Sequence, residues 1–208
     1  MKKINWSELF QKRNDAKKQF GDLWKLPIAP RYHVILDREL DKQQSLLEVG
    51  AGARGLKDKL SKMGHQIRYK SMDIDRTHEH DYYDLDEVDE KFDVICMFEI
   101  IEHITPEQAY EMLNKCFACL NPGGKILITT PNIYHPPGFL RDATHITPWC
   151  YDELAGMSAL VGFKPKAIFR LYKDSLFKAF MRRVVFYPLF RVLNLDFAPQ
   201  IIVVAEKP

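Results

Sequence analysis

Ser45-Leu-Leu-Glu-Val-Gly-Ala-Gly-Ala-Arg-Gly55 is the stretch on which the fold turns. Ser45–Val49 reads as a short apolar strand, and Leu56–Met63 as the helix that follows it. Between them lies G-x-G-x-x-G at Gly50, Gly52 and Gly55, with Ala51 inside the turn. In such a turn the first glycines permit a sharp reversal and close approach of a ligand, and the third permits helix–strand packing. The next strand, predicted over Gln66–Met72, ends at Asp73, where an acid can accept hydrogen bonds from both hydroxyls of a ribose. Strand, turn, helix and acid in this order indicate a ribonucleoside ligand. Glu48 precedes Gly50 by two residues. A carboxylate there is unwelcome beside a pyrophosphate and suits a cationic ligand, although a dinucleotide such as NAD, and with it an oxidoreductase, stays open at this point.

Outward from this stretch, strand and helix patterns alternate. Phe92–Phe98 is a strand, Pro106–Leu120 a helix with proline in its first turn, Asn121-Pro-Gly-Gly a turn, and Lys125–Thr130 a strand. Tyr151–Val161 is helical, Lys164–Tyr172 extended, and Gln200–Ala205 the final strand. This alternation predicts an α/β, doubly wound sheet with helices on both faces. Residues 1–43 form an N-terminal helical extension, with helices over Trp6–Trp24 and Tyr32–Asp41 separated by Pro27 and Pro30, expected to act as a lid. The main domain spans 44–208 and carries an amphipathic insertion at about 174–199, which serves either as a crossover or as an excursion within a hairpin.

Composition narrows the function classes. The chain has 208 residues, 46% hydrophobic and 28% charged, which excludes a disordered or collagen-like protein. A net charge of +2 gives no broad phosphate footprint, so nucleic acid is not the expected partner. There is no signal-peptide pattern and no long apolar run, and the expected location is cytoplasmic. Cys116 and Cys119 lie in a predicted helix with no second pair nearby, which favours core packing over zinc or redox chemistry.

The sequence resembles class I S-adenosylmethionine-dependent methyltransferases. The resemblance rests on Glu48 to Gly55 and on Asp73-Ile74, which match the ribose acid and an adenine-packing residue. It extends through Asp84-Leu85, Phe92-Asp-Val-Ile-Cys-Met-Phe98 with the turn after it, and Leu120-Asn-Pro-Gly-Gly124. It implies a Rossmann-like seven-stranded sheet whose last strand is antiparallel and pairs with the sixth, so that 174–199 is a hairpin excursion. It also implies S-adenosylmethionine held by Glu48, Gly50, Ala51, Gly52, Gly55, Asp73, Ile74, Asp84, Leu85 and Phe98. A cofactor-binding subunit without catalysis is the reading from another class, and thermal shift with S-adenosylhomocysteine against NAD separates donor from dinucleotide.

Glu99, Glu102 and His103 follow the fourth strand of that pattern as E-x-x-E-H, and Arg141-Asp-Ala-Thr-His145 follows the fifth. At strand C-termini of an open sheet such side chains can face the ligand crevice. Glu99, Glu102 and His103 form a candidate half-site for Mg²⁺ or Mn²⁺, and a resemblance to small-RNA 2′-O-methyltransferases implies that His145 completes the metal shell. Without an ion, an oxygen acceptor still needs a base of near-neutral pKa, for which His145 is the first candidate and His103 the second. The remaining histidines (His33, His65, His78, His80, His135) are expected to be exposed. The E-x-x-E-H resembles ubiquinone-biosynthesis O-methyltransferases and small-RNA 2′-O-methyltransferases. The insertion and the R-D-A-T-H-x-x-P-W loop are similar to methyltransferases of bacterial surface-polysaccharide clusters. These resemblances imply O-methylation of a small-molecule, sugar or glycolipid hydroxyl, with RNA 2′-O-methylation as the alternative. The interleaved apolar and basic residues of 174–199 are expected to pack on the core or a second copy, or to touch a membrane surface, in a monomer or homodimer.

Overall fold

The computed structural model describes residues 3–40 and 44–208. Seven strands form one sheet, in the order β1 (Ile28–Ala29), β6 (Lys164–Leu171), β7 (Gln200–Glu206), β5 (Leu120–Pro131), β4 (Phe92–Phe98), β2 (Ser45–Val49), β3 (Arg68–Met72). β2 (Ser45–Val49), β3 (Arg68–Met72), β4 (Phe92–Phe98) and β5 (Leu120–Pro131) are parallel to one another. β7 (Gln200–Glu206) lies antiparallel between β5 and β6 (Lys164–Leu171). The hairpin reading of 174–199 is therefore correct, as is the antiparallel last strand.

The remaining strand comes from the proline-bounded break between the two helices of the N-terminal extension. β1 (Ile28–Ala29) sits between Pro27 and Pro30 and pairs in parallel with β6, Ile28 opposite Arg170. Proline pushes the residue before it into extended backbone, which is what an edge strand needs. The buried Arg170 guanidinium locks this corner, donating to the carbonyls of Leu26 and Trp24 and to the carboxylate of Asp196 at 3.0 Å. Asn132 donates to the other Asp196 oxygen, so the charge pair is fully hydrogen-bonded.

Two helical layers enclose the sheet. On one face α1 (Trp6–Phe20), α4 (Pro106–Cys119) and α6 (Tyr151–Val161) bury Leu9, Ala16, Leu113, Cys116, Leu154 and Met157 against Leu47, Ile95 and Ile128. The backbone of Arg13 passes so close to Gly156 that a Cβ there would lie 2.8 Å from the Arg13 nitrogen; the two helices meet at this glycine. On the other face α2 (Tyr32–Glu39) and α3 (Gly55–Lys62) bury Ile35, Leu36, Leu56 and Leu60 against Leu46, Cys96 and Val204. The N-terminal helices pack as layers on the sheet, Ile35 and Leu36 having no exposed surface, and Pro30–His33 line a cavity with Leu171 and Gln200. Asp41, the expected end of the second helix, lies outside the described residues.

Smaller differences have local causes. Gly21, at φ +76°, ends α1 before Trp24. The expected Asn-Pro-Gly-Gly turn is taken into β5 as an irregularity, Leu120 pairing with Phe92 and Lys125 with Val94. Cys116 and Cys119 are buried, free thiols in α4, as core packing requires. No helix among the described residues is long and apolar enough to cross a membrane.

Candidate active site

The glycine turn hangs from the end of β3: the amides of Gly50 and Ala51 both donate to the Met72 carbonyl. Gly50 has φ +74°, and a Cβ there would come within 2.2 Å of the Ile100 side chain, so conformation and space both demand glycine. Gly52 also has positive φ, but a Cβ on Gly52 or Gly55 would meet nothing within 4 Å. The packing role expected for the third glycine is therefore absent. Asp73 accepts from the amides of Gly52 (2.7 Å) and Asp75 (2.9 Å), which ties the acid at the end of β3 to the turn itself. Glu48 is buried on the α2–α3 face and accepts a hydrogen bond from the Tyr69 hydroxyl. Burial pushes its carboxyl up to about 7, against the opposing pull of Tyr69, Lys59 and Arg54. A cationic ligand beside it would restore the carboxylate.

A cavity of about 300 Å³ opens next to this turn, lined among others by Met72, Ile74, Asp84, Leu85 and Met112. Ile74 is exposed on its rim, an apolar side chain able to cover a planar base. Asp84 caps the short 3₁₀ turn Leu85–Glu87 by accepting from the Asp86 amide. Phe98, at the end of β4, packs its ring 4.5 Å from that of Tyr32.

A second cavity, about 470 Å³, lies at the ends of β4, β5 and β7 and is lined by Glu99, Glu102, His103, Arg141, Asp142, His145 and Gln200, with glycine and prolines. Glu99 has left-handed backbone (φ +56°), an uncommon state for a non-glycine residue, held by its amide donating to Thr129. Glu102 is fully buried, and neither carboxylate oxygen has a hydrogen-bond partner; one oxygen of Glu99 is likewise unpartnered. Burial, reinforced by Glu99, pushes the Glu102 carboxyl up to about 8. The loop after β5 is clamped over this turn, the amides of Ile146 and Thr147 donating to the Glu102 carbonyl and the Trp149 indole to that of Ile101.

That clamp brings the His145 ring to 4.8 Å from that of His103. His145 Nδ1 donates to the Phe139 carbonyl at 2.8 Å. His103 Nδ1 donates to Thr144 Oγ1 at 2.9 Å, whose own proton goes to Asp142. With Nδ1 as the donor in each ring, Nε2 is the nitrogen turned to other partners, as a proton acceptor or metal ligand needs. Atoms of Glu102, His103 and His145 lie within 4.8 Å of one another; Glu99 shares the cavity but not this cluster.

Residues 24–166 match the methyltransferase domain family. The chain belongs to that family. It is an S-adenosylmethionine-dependent methyltransferase, and the donor is its cofactor. No curated protein matches the sequence. Solved structures share the fold. A methyltransferase of Archaeoglobus fulgidus is 18% identical with a TM-score of 0.64, covering 98% of this chain and 100% of its own. One of Mesorhizobium loti is 13% identical at 0.60, covering 84% and 96%. The 1,6-didemethyltoxoflavin-N1-methyltransferase of Burkholderia thailandensis, solved with 1,6-didemethyltoxoflavin and S-adenosylhomocysteine, is 17% identical at 0.59, covering 97% and 88%.

In this methyltransferase the glycine turn and Asp73 are in direct contact, and the two histidine rings pack edge to face in the lining of the second cavity. Arg141, Asp142 and Gln200 also line that cavity, and Tyr69 binds Glu48. These were not singled out as site residues. Arg141 and Asp142 stood in the quoted loop, whereas nothing in the sequence pairs residue 69 with residue 48. The expectation that the other histidines are exposed holds for His78 alone. His80 is buried, His65 meets Asp37 at 2.8 Å, and His33 and His135 are half-buried.

Proposed function

We propose that this methyltransferase transfers the donor methyl group to a hydroxyl of a small-molecule, sugar or glycolipid acceptor seated in the cavity of Glu99, His103 and His145. The observation that carries this reading is the pair of imidazoles whose Nδ1 atoms are tied to Phe139 and Thr144. Methyl transfer is an in-line displacement at the sulfonium methyl, so the cavity's first task is to hold the acceptor oxygen in line. Its second is to take the hydroxyl proton, and His145 Nε2 is the base, with His103 beside it. Glu48, the glycine turn, Asp73, Ile74, Asp84, Leu85 and Phe98 hold the donor. Incubation with labelled donor and pools of sugars, phenols and RNA tests the reading. Labelling of hydroxyl compounds is expected; labelling confined to RNA would replace it with RNA 2′-O-methylation, and none in any pool with cofactor bound would favour a binding subunit.

The unpartnered Glu102 carboxylate supports a second reading of the same cavity. A buried carboxylate with no donor is costly, and a divalent cation would relieve that cost. Glu102, His103 and His145 fit such an ion as ligands. When bound, Mg²⁺ or Mn²⁺ would lower the acceptor hydroxyl's pKa. Loss of turnover in EDTA and its return with Mg²⁺ or Mn²⁺ would establish that reading; indifference to EDTA leaves His145 as a simple base.

A further inference from the structure

The excursion between β6 and β7 folds as α7 (Leu176–Phe180), a π-helical turn (Met181–Val185) and α8 (Tyr187–Val192). One side is anchored: Ala179 and Phe190 pack on Tyr172, Phe197 and Ala198, and the Trp24 indole donates to the Leu195 carbonyl. The expectation of core packing holds only for that side. Leu176 is 92% exposed, Phe177 72% and Val192 77%, and Phe180, Val184, Val185 and Leu189 are exposed as well. Spacings of three and four residues along 177, 180, 184 and along 185, 189, 192 put these side chains in stripes on helical backbone. So much contiguous apolar surface marks an interaction site.

The charges decide what covers it. Residues 175–195 carry Lys178, Arg182, Arg183 and Arg191 and no carboxylate. Arg182 pairs with Asp174 and Arg191 lies over the Trp24 ring, while Lys178 and Arg183 have no ion-pair partner among the described residues. A two-fold dimer through this face would bring the unpaired Lys178 and Arg183 of one copy towards those of the other, with Asp174 already paired to Arg182, which is repulsive. A bilayer bearing anionic lipids supplies what the face lacks, acyl chains for Phe177 and Leu176 and negative headgroups for the cations.

The flanks of the excursion extend this basic character. Lys173, just before it, and Pro199, its last residue, line a cavity of about 280 Å³ with Arg31, His33 and Lys59, and Pro199 and Gln200 also line the acceptor cavity. We infer that residues 174–199 seat the protein on an anionic lipid bilayer, with the mouth of the acceptor cavity beside the headgroups. This inference does not depend on the identity of the acceptor.

Flotation of the full chain with phosphatidylcholine vesicles, with and without phosphatidylglycerol, at low and high salt, tests it without turnover. Association with the phosphatidylglycerol vesicles alone, weakened by salt, is expected. Leu176→Ser with Phe177→Ser, and separately Lys178→Glu with Arg183→Glu, should each lower partitioning by about tenfold or more. Both variants should keep the melting temperature and the S-adenosylhomocysteine affinity, which monitors the donor site independently. Failure of the folded, cofactor-binding protein to float would overturn the inference, as would unchanged flotation of both variants. So would a dimer, seen by light scattering, that Leu176→Ser with Phe177→Ser dissociates while no vesicle is bound.

Discussion

The two halves of the cleft are built on opposite terms. On the donor side the turn at Gly50–Gly55 hangs on Met72, Asp73 holds Gly52, and positive φ is taken by Gly50, Gly52 and Arg54, with the turn's amides hydrogen-bonded. On the acceptor side Glu99 takes left-handed backbone without being glycine, and Glu102 is buried with neither oxygen paired. One half is locally self-consistent, and the other holds a cost that the surrounding fold must offset. Buried carboxyl groups left without partners gather where a site must meet something that changes during reaction.

The largest expected effect tests the frame. Gly50→Val places a β-branched residue at positive φ and drives its Cβ into Ile100, and S-adenosylhomocysteine affinity should fall by more than about 100-fold by titration calorimetry. Ile100→Ala in the same chain relieves the contact but not the backbone, so binding should not recover. Full recovery would show that space alone demands glycine. His145→Ala comes next, expected to cost about 10²–10⁴-fold in kcat while cofactor affinity stays within about twofold. A matching loss of affinity would mean that the two halves are not separable.

Glu102→Gln isolates the strained half through pH. The folded state raises this carboxyl to about 8 from an ordinary 4.5, so it favours the protonated form. Stability from this group is full below about pH 4.5 and is lost as pH rises towards 8. Glutamine, which mimics the protonated acid, should match the parent at pH 4.5 and exceed it at pH 9 by on the order of 2–4 kcal/mol, visible as a higher melting temperature. Equal melting temperatures at both pH values would mean that the buried charge is already compensated. The smallest effect is Asp73→Ala, about 1–3 kcal/mol of S-adenosylhomocysteine affinity with the fold retained. An unchanged dissociation constant would remove Asp73 from the donor site.

The same contrast explains what the residues revealed in advance. Glu48, the glycines and Asp73 lie close together in the chain, and strand periodicity places them at adjacent strand ends without knowledge of distant contacts. The sheet and its antiparallel hairpin were legible for the same reason once the family resemblance was used. His145 was named, but its meeting with His103 depends on Ile146, Thr147 and Trp149 binding backbone carbonyls some forty residues earlier. No periodicity reports such a clamp. β1 escaped notice because a two-residue strand has no pattern, and the Arg170–Asp196 lock because charged residues in a sequence read as surface. The excursion's amphipathic composition was plain; which side faces outward had to come from the packing of Ala179 and Phe190.

The position of β7 between β5 and β6 has a kinetic consequence. β2, β3, β4 and β5 can assemble through successive crossovers of short sequence separation. β6 reaches the sheet only through β7, and β1 only through β6, so residue 28 must find residue 170 after that hairpin is in place. Closing loops of that length before any contact rewards them makes folding slow relative to a helical bundle of equal size. In pulse-labelling hydrogen exchange during refolding, amides of β4 and β5 should gain protection before those of β1 and β6; simultaneous protection would show that the whole sheet closes in a single step.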